Sequence, residues 1–339
     1  MAELSIGTTF AGRYKILALL GRGGMGEVYR AEHIALGNQV ALKILGPELE
    51  GAREERFERE ARTTARLNHP GCVRVLDYGR ADHLQFIAME LVDGQNLASV
   101  LRREGPFSTA RAARVGKSLL AALAHAHENG VLHRDVKPAN VMLVTAGAPR
   151  CVLIDFGLAR LRDDGPLTAV GTCMGSPSYL APERLLGRDY DARADIYAVG
   201  VILYELLAGA KPFPGESPRE IMARLSDRPA RPLRAIRKDV SRSLDAVIMR
   251  ALAKDPDRRF PDAEAMLGAL DDVPVLEQLA ELRAATARDE EAPTHALAQI
   301  SIYRPSLLHR IWGWLRYGGW RRGRVFDDAS GELSGAHSR

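Results

Sequence analysis

The hydrophobic pattern of the chain changes character near Gly94. Residues 13–45 alternate short apolar runs with turn sequences such as GRGG and LGNQ, and two more apolar runs lie around residues 73–78 and 84–92. Such alternation predicts antiparallel strands joined by tight turns. Between these runs, apolar residues recur at helical spacing among charges over residues 53–67, and we therefore expect one amphipathic helix there.

Helical periodicity dominates the sequence after Gly94. The longest helical pattern ends just before Gly130, and glycine is typical immediately beyond a helix. The predicted helices cover residues 109–129, 193–209, 217–226, 241–253 and 262–270, and short apolar runs lie at 141–144 and 151–154. A strand-rich part precedes a helix-rich part, and we predict an α+β fold with two lobes, residues 13–92 and 93–271.

The sequence beyond this domain, residues 272–339, predicts a separate tail. Its first part, 272–291, is helical in pattern and acidic, whereas residues 300–326 contain six arginines, three tryptophans and no acidic residue. Such a stretch could lie on an anionic membrane surface, with arginine and tryptophan at the headgroups. Gly313, Gly318 and Gly319 weaken a long helix there, so we favour a tail that packs on the domain or on a partner, or that stays disordered.

Composition narrows the class of protein. The chain has 339 residues, of which 46% are hydrophobic and 27% charged, and its formal net charge is +4. These values are typical of a globular domain and argue against a disordered chain or a nucleic-acid-binding protein. Cys72, Cys151 and Cys173 are widely spaced, as expected of a reducing compartment. The N-terminus lacks the apolar core of a signal peptide, and no stretch predicts a membrane span, so we expect a cytoplasmic location.

A glycine-rich segment follows the first long strand. Residues 21–28, GRGGMGEV, fit the pattern G-x-G-x-x-G-x-V, in which glycines let the backbone approach phosphates closely. The same pattern occurs in dinucleotide-binding turns and in flexible hairpins. Here a second strand, and no helix, is expected after Gly26, which argues against a Rossmann oxidoreductase.

Lys43 directly follows the apolar residues Val40-Ala41-Leu42 in a predicted strand. Burial of Lys43 in a strand is costly unless the charge is paired. One interpretation is an edge-strand lysine that extends to water. The other is a cation for nucleotide phosphates, held by Glu60 of the predicted helix.

The most specific signal is HRDVKPAN at residues 133–140, followed by DFG at 155–157. Phosphoryl transfer needs a carboxylate that orients a substrate hydroxyl and hard oxygen ligands for magnesium. Asp135 suits the first task, and Asn140 and Asp155 suit the second. Any one fragment could simply be a turn, but the complete set, in order, favours a catalytic site.

These motifs together resemble the eukaryotic-type (Hanks-type) protein kinases, most closely the bacterial serine/threonine kinases, over roughly residues 13–271. The resemblance implies a two-lobed kinase fold, ATP with Mg²⁺ or Mn²⁺, and protein substrates. It assigns ATP binding to Gly21, Arg22, Gly23, Gly24, Met25, Gly26, Val28, Ala41, Lys43, Glu60, Met89, Glu90, Val92 and Met142. It also implies that Glu183 of the APE segment pairs with Arg259 and that Asp195 braces the catalytic loop.

The resemblance also bears on the hydroxyl that is phosphorylated and on regulation. Lys137 can neutralise charge on the transferred group, and the D-x-K-P-x-N pattern indicates serine/threonine kinases. Because Arg134 could receive a phosphate, we hypothesise autophosphorylation at one or both of Thr168 and Thr172, for which a homodimer acting in trans is an option. The alternative is that both are ordinary loop threonines. Asn96 and Ala139 stand where relatives that prefer arginine carry acids, which weakens a basophilic prediction.

Two rival functions share part of this motif set. A pseudokinase scaffold predicts loss of Lys43, Asp135, Asn140 or Asp155, and all four are present. A small-molecule kinase, such as an antibiotic phosphotransferase, shares the Asp and Asn arrangement but is not expected to keep the glycine loop and the APE segment together. We therefore predict an active serine/threonine protein kinase that acts in signalling.

Overall fold

The structure is a computed structural model of the full chain, which divides into two units, Met1–Ala284 and Ala285–Arg339. It describes residues 4–23, 26–45, 58, 61–144, 150–156, 177–215, 217–227 and 229–273, all in the first unit. Several predicted features therefore lie outside the described residues. They are Gly24, Met25, Glu60, Gly157, Thr168, Thr172, Cys173 and the tail from residue 274.

The N-terminal lobe is a six-stranded antiparallel sheet in the order β1-β2-β3-β4-β6-β5. Its strands are β1 Thr9–Phe10, β2 Tyr14–Gly23, β3 Gly26–His33, β4 Gln39–Leu45, β5 Val75–Ala81 and β6 Leu84–Glu90. The predicted strands and tight turns are thus confirmed. β1 begins before the predicted start of the domain at residue 13, because it pairs with the first half of β2.

Side chains along β4 point alternately to the two faces of the sheet, and this alternation determines which face carries Lys43. Val40, Leu42 and Ile44 belong to an apolar cluster on one face, and successive side chains point to opposite faces of a strand. Ala41 and Lys43 therefore face the C-terminal lobe. Since β4 is hydrogen-bonded to strands on both sides, the interpretation of Lys43 as an edge-strand residue is wrong.

The C-terminal lobe is mostly helical. Its helices are α1 Leu97–Glu104, α2 Thr109–Glu128, α3 Pro182–Leu185, α4 Arg193–Ala208, α5 Pro218–Asp227, α6 Arg242–Ala251 and α7, residues 263–273. A small antiparallel sheet, β7 Gln95–Asn96, β8 Val141–Val144 and β9 Arg150–Leu153, lies beside them. The α+β, two-lobed prediction is confirmed, and α1 is an element that the sequence analysis missed. No helix among the described residues is long and apolar enough to cross a membrane.

The core of this lobe is built around α2 and α4. Thirteen of the sixteen residues of α4 are buried, so it is enclosed by other elements over most of its surface. α4 ends at Gly209, whose φ of +72° is the left-handed conformation that glycine adopts easily. The loop between α2 and β8 carries the HRDVKPAN motif and is hydrogen-bonded to the first turn of α4.

Candidate active site

Asp195, in the first turn of α4, holds the loop that carries Asp135. Its buried carboxylate accepts the backbone N–H groups of His133 and Arg134, each at 2.9 Å, and lies 2.9 Å from Nε2 of His127. Burial alone would raise the pKa of Asp195, but the hydrogen bond and charge of His127, with the other contacts, outweigh it and lower that pKa. Arg134 has a left-handed φ of +66°, and the two N–H bonds fix this turn. The predicted bracing role of Asp195 is thus visible in its contacts.

His133 links the loop to the strand that precedes Asp155. Its side chain is fully buried, which lowers its pKa and favours the neutral imidazole. Nε2 lies 3.0 Å from the carbonyl oxygen of Ile154, and Nδ1 lies 3.3 Å from the backbone N–H of Asp135. A carbonyl can only accept, so we assign the proton to Nε2 and the acceptor role to Nδ1.

Asp135, Lys137 and Asn140 converge at the end of this loop. Nζ of Lys137 lies 2.6 Å from Oδ2 of Asp135, and Nδ2 of Asn140 donates to the same oxygen at 3.0 Å. Asn140 also donates to the backbone carbonyl of Asp135 at 2.9 Å. The 3₁₀ turn Pro138–Asn140 brings these side chains together within six residues. The carboxylate is therefore held in one orientation by two donors.

Asp155 lies directly after β9, across from this loop. The backbone N–H of Ile154 donates to the carbonyl of Asn140 at 3.0 Å, so the ends of the β8–β9 hairpin are tied together. Asp155 has a φ of +64°, and its Oδ1 accepts from Nζ of Lys43 at 2.9 Å. Burial opposes the charge of Asp155, but the attraction and hydrogen bond of Lys43 outweigh it and lower the pKa of the carboxyl. The sequence predicted only Glu60 as a partner for Lys43, so the contact with Asp155 is a new finding.

The described part of the glycine segment lies where β2 ends and β3 begins, and Gly23 is opposite Gly26 there. Gly26 has a φ of +136°, and a Cβ atom there would lie 1.9 Å from the carbonyl oxygen of Ile44. Only glycine fits this position. Arg22, at the tip, forms an ion pair with Glu27 at 3.0 Å across the hairpin.

An apolar surface lies on the same side of the sheet as Lys43. Ala41, Val92 and Met142 are partly buried and pack against the core of the C-terminal lobe, to which the buried Met89 belongs. Val28 is opposite Lys43 in the β3–β4 register. At the end of β6, the backbone N–H of Glu90 is already bonded, because it donates to the carbonyl of Arg74 at 2.9 Å.

The Glu183–Arg259 pair lies away from these groups. Arg259 is fully buried and donates to both carboxylate oxygens of Glu183, each at 2.7 Å. It also donates to the backbone carbonyls of Ala253, Arg193 and Lys254. As predicted, the two residues pair, and their saturated contacts indicate a structural role.

Two contributors to the site were missed in the sequence. His127 contacts Asp195 from the end of α2, and its position six residues before His133 is a weak signal that only the fold makes meaningful. The guanidinium of Arg184 donates to the backbone carbonyl of Arg134, which ties the APE segment to the catalytic loop.

Comparison with known proteins assigns the family. The model of the protein kinase domain matches residues 14–268. The chain therefore belongs to the protein kinase domain family, in agreement with the resemblance noted in its motifs.

Its relatives are bacterial serine/threonine kinases. It is 43% identical to the serine/threonine-protein kinase pkn3 of Myxococcus xanthus, over 78% of this chain and 50% of that protein. It is also 43% identical to the serine/threonine-protein kinase PknD of Mycobacterium tuberculosis, over 76% of this chain and 39% of that protein. The crystal structure of the Mycobacterium tuberculosis PknI kinase domain matches with a TM-score of 0.64 and 34% identity, over 80% of this chain and 99% of that one. The chain thus spans half or less of the length of these two curated relatives.

Proposed function

We propose that this chain is an active protein serine/threonine kinase, which transfers the γ-phosphoryl group of ATP to serine or threonine hydroxyls of proteins. The observation that carries the proposal is that Lys137 and Asn140 both donate to the carboxylate of Asp135. Across from it, Lys43 donates to Asp155. Membership of the kinase family and the names of the relatives support it.

The residues at the site suit a nucleotide with a divalent metal. Lys43 and the glycine backbone supply cationic and N–H groups for phosphates, and Ala41, Met89 and Met142 supply apolar surface for a base. Among the described residues, no three His, Cys, Asp or Glu side chains form a ready metal cage. Mg²⁺ suits such a site, because it is commonly held by one or two carboxylates together with substrate phosphates. Asn140 and Asp155 would hold it, and Mn²⁺ has similar ligand preferences; the bound metal neutralises charge on the phosphates.

The side chains of the catalytic loop divide the remaining work. Asp135 would orient the substrate hydroxyl and take its proton. Lys137, whose ammonium is 2.6 Å from that carboxylate, would neutralise charge on the group in transfer. Asn140 keeps the carboxylate in place through its amide.

Two rival functions make different predictions. A pseudokinase would bind nucleotide without transferring phosphate. However, all four residues that transfer requires are present, and they form two contacts, Lys43 with Asp155 and Asn140 with Asp135. A small-molecule kinase would release ADP without phosphorylating protein. The relatives named as protein kinases favour protein substrates.

Further parts of the proposal rest on sequence alone. We expect autophosphorylation at one or both of Thr168 and Thr172, for which a homodimer acting in trans is an option, and a cytoplasmic location. Contact of residues 300–326 with a membrane surface is the less favoured option for the tail. The fixed position of the Arg134 backbone, which donates its N–H to Asp195, supports the expectation that Arg134 receives a loop phosphate.

The decisive experiment compares wild type with Asp135→Asn for transfer of labelled phosphate to a general protein substrate. Loss of the carboxylate should reduce the rate by about 10²–10⁴-fold, because the amide cannot accept the proton. Asp189→Asn, an exposed aspartate outside the site, is the matched control and should keep full activity. Hydrolysis of the product should yield phosphoserine or phosphothreonine. Equal labelling by wild type and Asp135→Asn, or ADP formation without labelled protein, would contradict the proposal.

A further inference from the structure

The arginine of the glycine segment is tied to a buried carboxylate. Arg22 is opposite Glu27 in the β2–β3 register, and its Nε lies 3.0 Å from Oε1 of Glu27. The side chain of Arg22 is 52% exposed, whereas that of Glu27 is only 8% exposed. A carboxylate is costly to bury unless it is paired and hydrogen-bonded, so the partners of Glu27 determine what this buried charge does.

The Arg22–Glu27 pair lies on the face of the sheet that is turned away from Lys43. Val28 is opposite Lys43, and neighbouring side chains of a strand point to opposite faces. Glu27 is opposite Ile44, which belongs to the apolar cluster on the outer face. Directly opposite residues share a face, so the side chain of Arg22 is on the outer face as well. Its guanidinium is therefore directed away from the side on which phosphates would meet Lys43.

Tyr29 anchors Glu27 on the same face. Its buried hydroxyl donates to Oε2 of Glu27, so each carboxylate oxygen has a donor of its own. The same hydroxyl accepts the backbone N–H of Leu4 at 3.1 Å. The segment around Leu4 is itself fixed to β2, because the N–H of Gly7 donates to the carbonyl of Ile16 at 2.8 Å. Glu27 is thus held in place by groups outside the glycine segment.

An anchored carboxylate restrains the backbone that carries its arginine. Arg22 lies between Gly21 and Gly23, and glycine leaves the backbone more conformational freedom than any other residue. The ion pair with Glu27 removes part of that freedom. Backbone N–H groups that are already in place lose less entropy when they bind a ligand, which strengthens binding.

We infer that Glu27 is a positioning residue of the nucleotide site, which acts through Arg22 to hold the glycine backbone in the orientation that binds the phosphates of ATP. The inference rests on the proposed kinase function, since it concerns the nucleotide of that reaction. It also gives Arg22 a definite part, in which the backbone serves the phosphates and the side chain serves the outer face of the sheet.

Glu27→Gln in the full chain tests the inference directly. The amide keeps an acceptor for Tyr29 but loses the charge that attracts Arg22. The KM for ATP should rise about threefold to fivefold, while kcat stays within about twofold because Asp135 and Lys43 are untouched. A role in stability alone would reduce the amount of folded enzyme and leave the KM for ATP at its wild-type value, which would contradict positioning.

Arg22→Gln distinguishes positioning from direct contact between the guanidinium and phosphate. It should raise the KM for ATP as much as Glu27→Gln does, and the double variant should raise it no further, because both changes remove one contact. A guanidinium that bound phosphate would be set free by Glu27→Gln. In that case Arg22→Gln alone would raise KM, and the inference would be overturned.

Glu32→Gln is the matched control for Glu27→Gln. Glu32 lies on the same strand, next to its far end, and its side chain forms no ion pair among the described residues. The KM for ATP and the kcat of this variant should equal those of wild type.

Amide hydrogen exchange, which requires no phosphoryl transfer, separates this inference from the kinase proposal. In the full chain without nucleotide, Glu27→Gln should exchange faster than wild type over residues 18–28 and equally over β6. Binding of a fluorescent ADP analogue should weaken by the same factor as KM rises. Both changes in a protein that transfers no phosphate would support positioning and contradict the kinase proposal alone. Exchange and ADP binding equal to those of wild type would overturn the role of Glu27.

Discussion

Two buried contacts between an acid and a base lie in different parts of this molecule, and they are built differently. Arg259 donates to both oxygens of Glu183 and to three backbone carbonyls. Lys43, by contrast, donates to a single described acceptor, Asp155. The side chain of Asp155 is 26% exposed, whereas that of Glu183 is 8% exposed.

The difference separates a contact that serves the fold from one that serves the site. A guanidinium with all its partners inside the protein cannot bind a ligand without losing a bond, so Glu183–Arg259 can only hold α3 against the loop after α6. An ammonium has three donors. Lys43 can therefore keep Asp155 and still bind a phosphate, and the partial exposure of Asp155 leaves an oxygen available for a metal.

The largest expected effect comes from Glu183→Gln. The amide keeps the shape but leaves the Arg259 charge buried without its counter-charge, which typically costs about 3–5 kcal/mol. Urea unfolding of wild type and variant at pH 7 measures the loss. Activity of the protein that remains folded, assayed well below its melting temperature, should change far less than its stability.

The control for Glu183→Gln is Glu104→Gln, which removes the exposed ion pairs of Glu104 with Arg103 and Arg111. Exposed pairs contribute little to stability, so this variant should unfold at the same urea concentration as wild type. A Glu183→Gln protein as stable as the Glu104→Gln protein would show that the buried pair does not hold the lobe.

Lys43→Met should lose activity and keep most of its stability, which is the opposite of the result expected for Glu183→Gln. Loss of one preorganised cation at the phosphates should reduce kcat by about 10²–10³-fold. The free energy of unfolding should change by less than about 2 kcal/mol, because water can reach the Asp155 carboxylate. Steady-state kinetics and urea unfolding of the same preparation give both numbers.

A second lysine of the sheet provides the comparison for Lys43. Lys15, on β2, is exposed and outside the site, and Lys15→Met should keep both activity and stability. If Lys43→Met lost several kcal/mol of stability and kept its kcat, the contact with Asp155 would belong with Glu183–Arg259 as a structural pair.

The sequence was sufficient for the order of the elements and for the identity of the motif residues. Alternation placed Lys43 on an apolar strand, and the HRDVKPAN spacing brought Asp135 and Asn140 together because both lie in one short loop. The contact of Lys43 with Asp155 joins residues 112 positions apart, and no local pattern reports such a distance. The assignment of roles to these residues, like the domain boundaries, stays a prediction.

The missed elements have separate physical causes. β1 has two residues, which is too short for any periodicity to show. α1 did leave a signal, since Asn96 is a capping residue and Leu97, Val100 and Leu101 have helical spacing, but its eight residues lie in a stretch that was assigned to no element. The helix predicted over residues 53–67 also ends earlier than expected, because its last helical residue in the structure is residue 64.

Asp195 combines the two kinds of contact, since it is buried like Glu183 and yet holds the catalytic loop. Asp195→Asn keeps one acceptor but loses the charge that attracts His127 and the two backbone N–H groups. We expect a loss of about 1.5–3 kcal/mol in the free energy of unfolding at pH 7, the usual value of charged hydrogen bonds. The rate of phosphoryl transfer should fall about tenfold, because the loop carrying Asp135 is held less firmly.

The stability of Asp195→Asn at acidic pH tests whether the negative charge of Asp195 causes the stabilisation. Because the pKa of Asp195 is lowered in the folded protein, its carboxylate stabilises the fold above the ordinary pKa of about 4, and this contribution is lost as the pH falls further. The stability difference between wild type and Asp195→Asn should therefore shrink between pH 4 and 3. Asp271→Asn, which removes an exposed pair with Lys117, should show little difference at any of these pH values. A difference for Asp195→Asn that stayed constant down to pH 3 would mean that shape, and not charge, holds the loop.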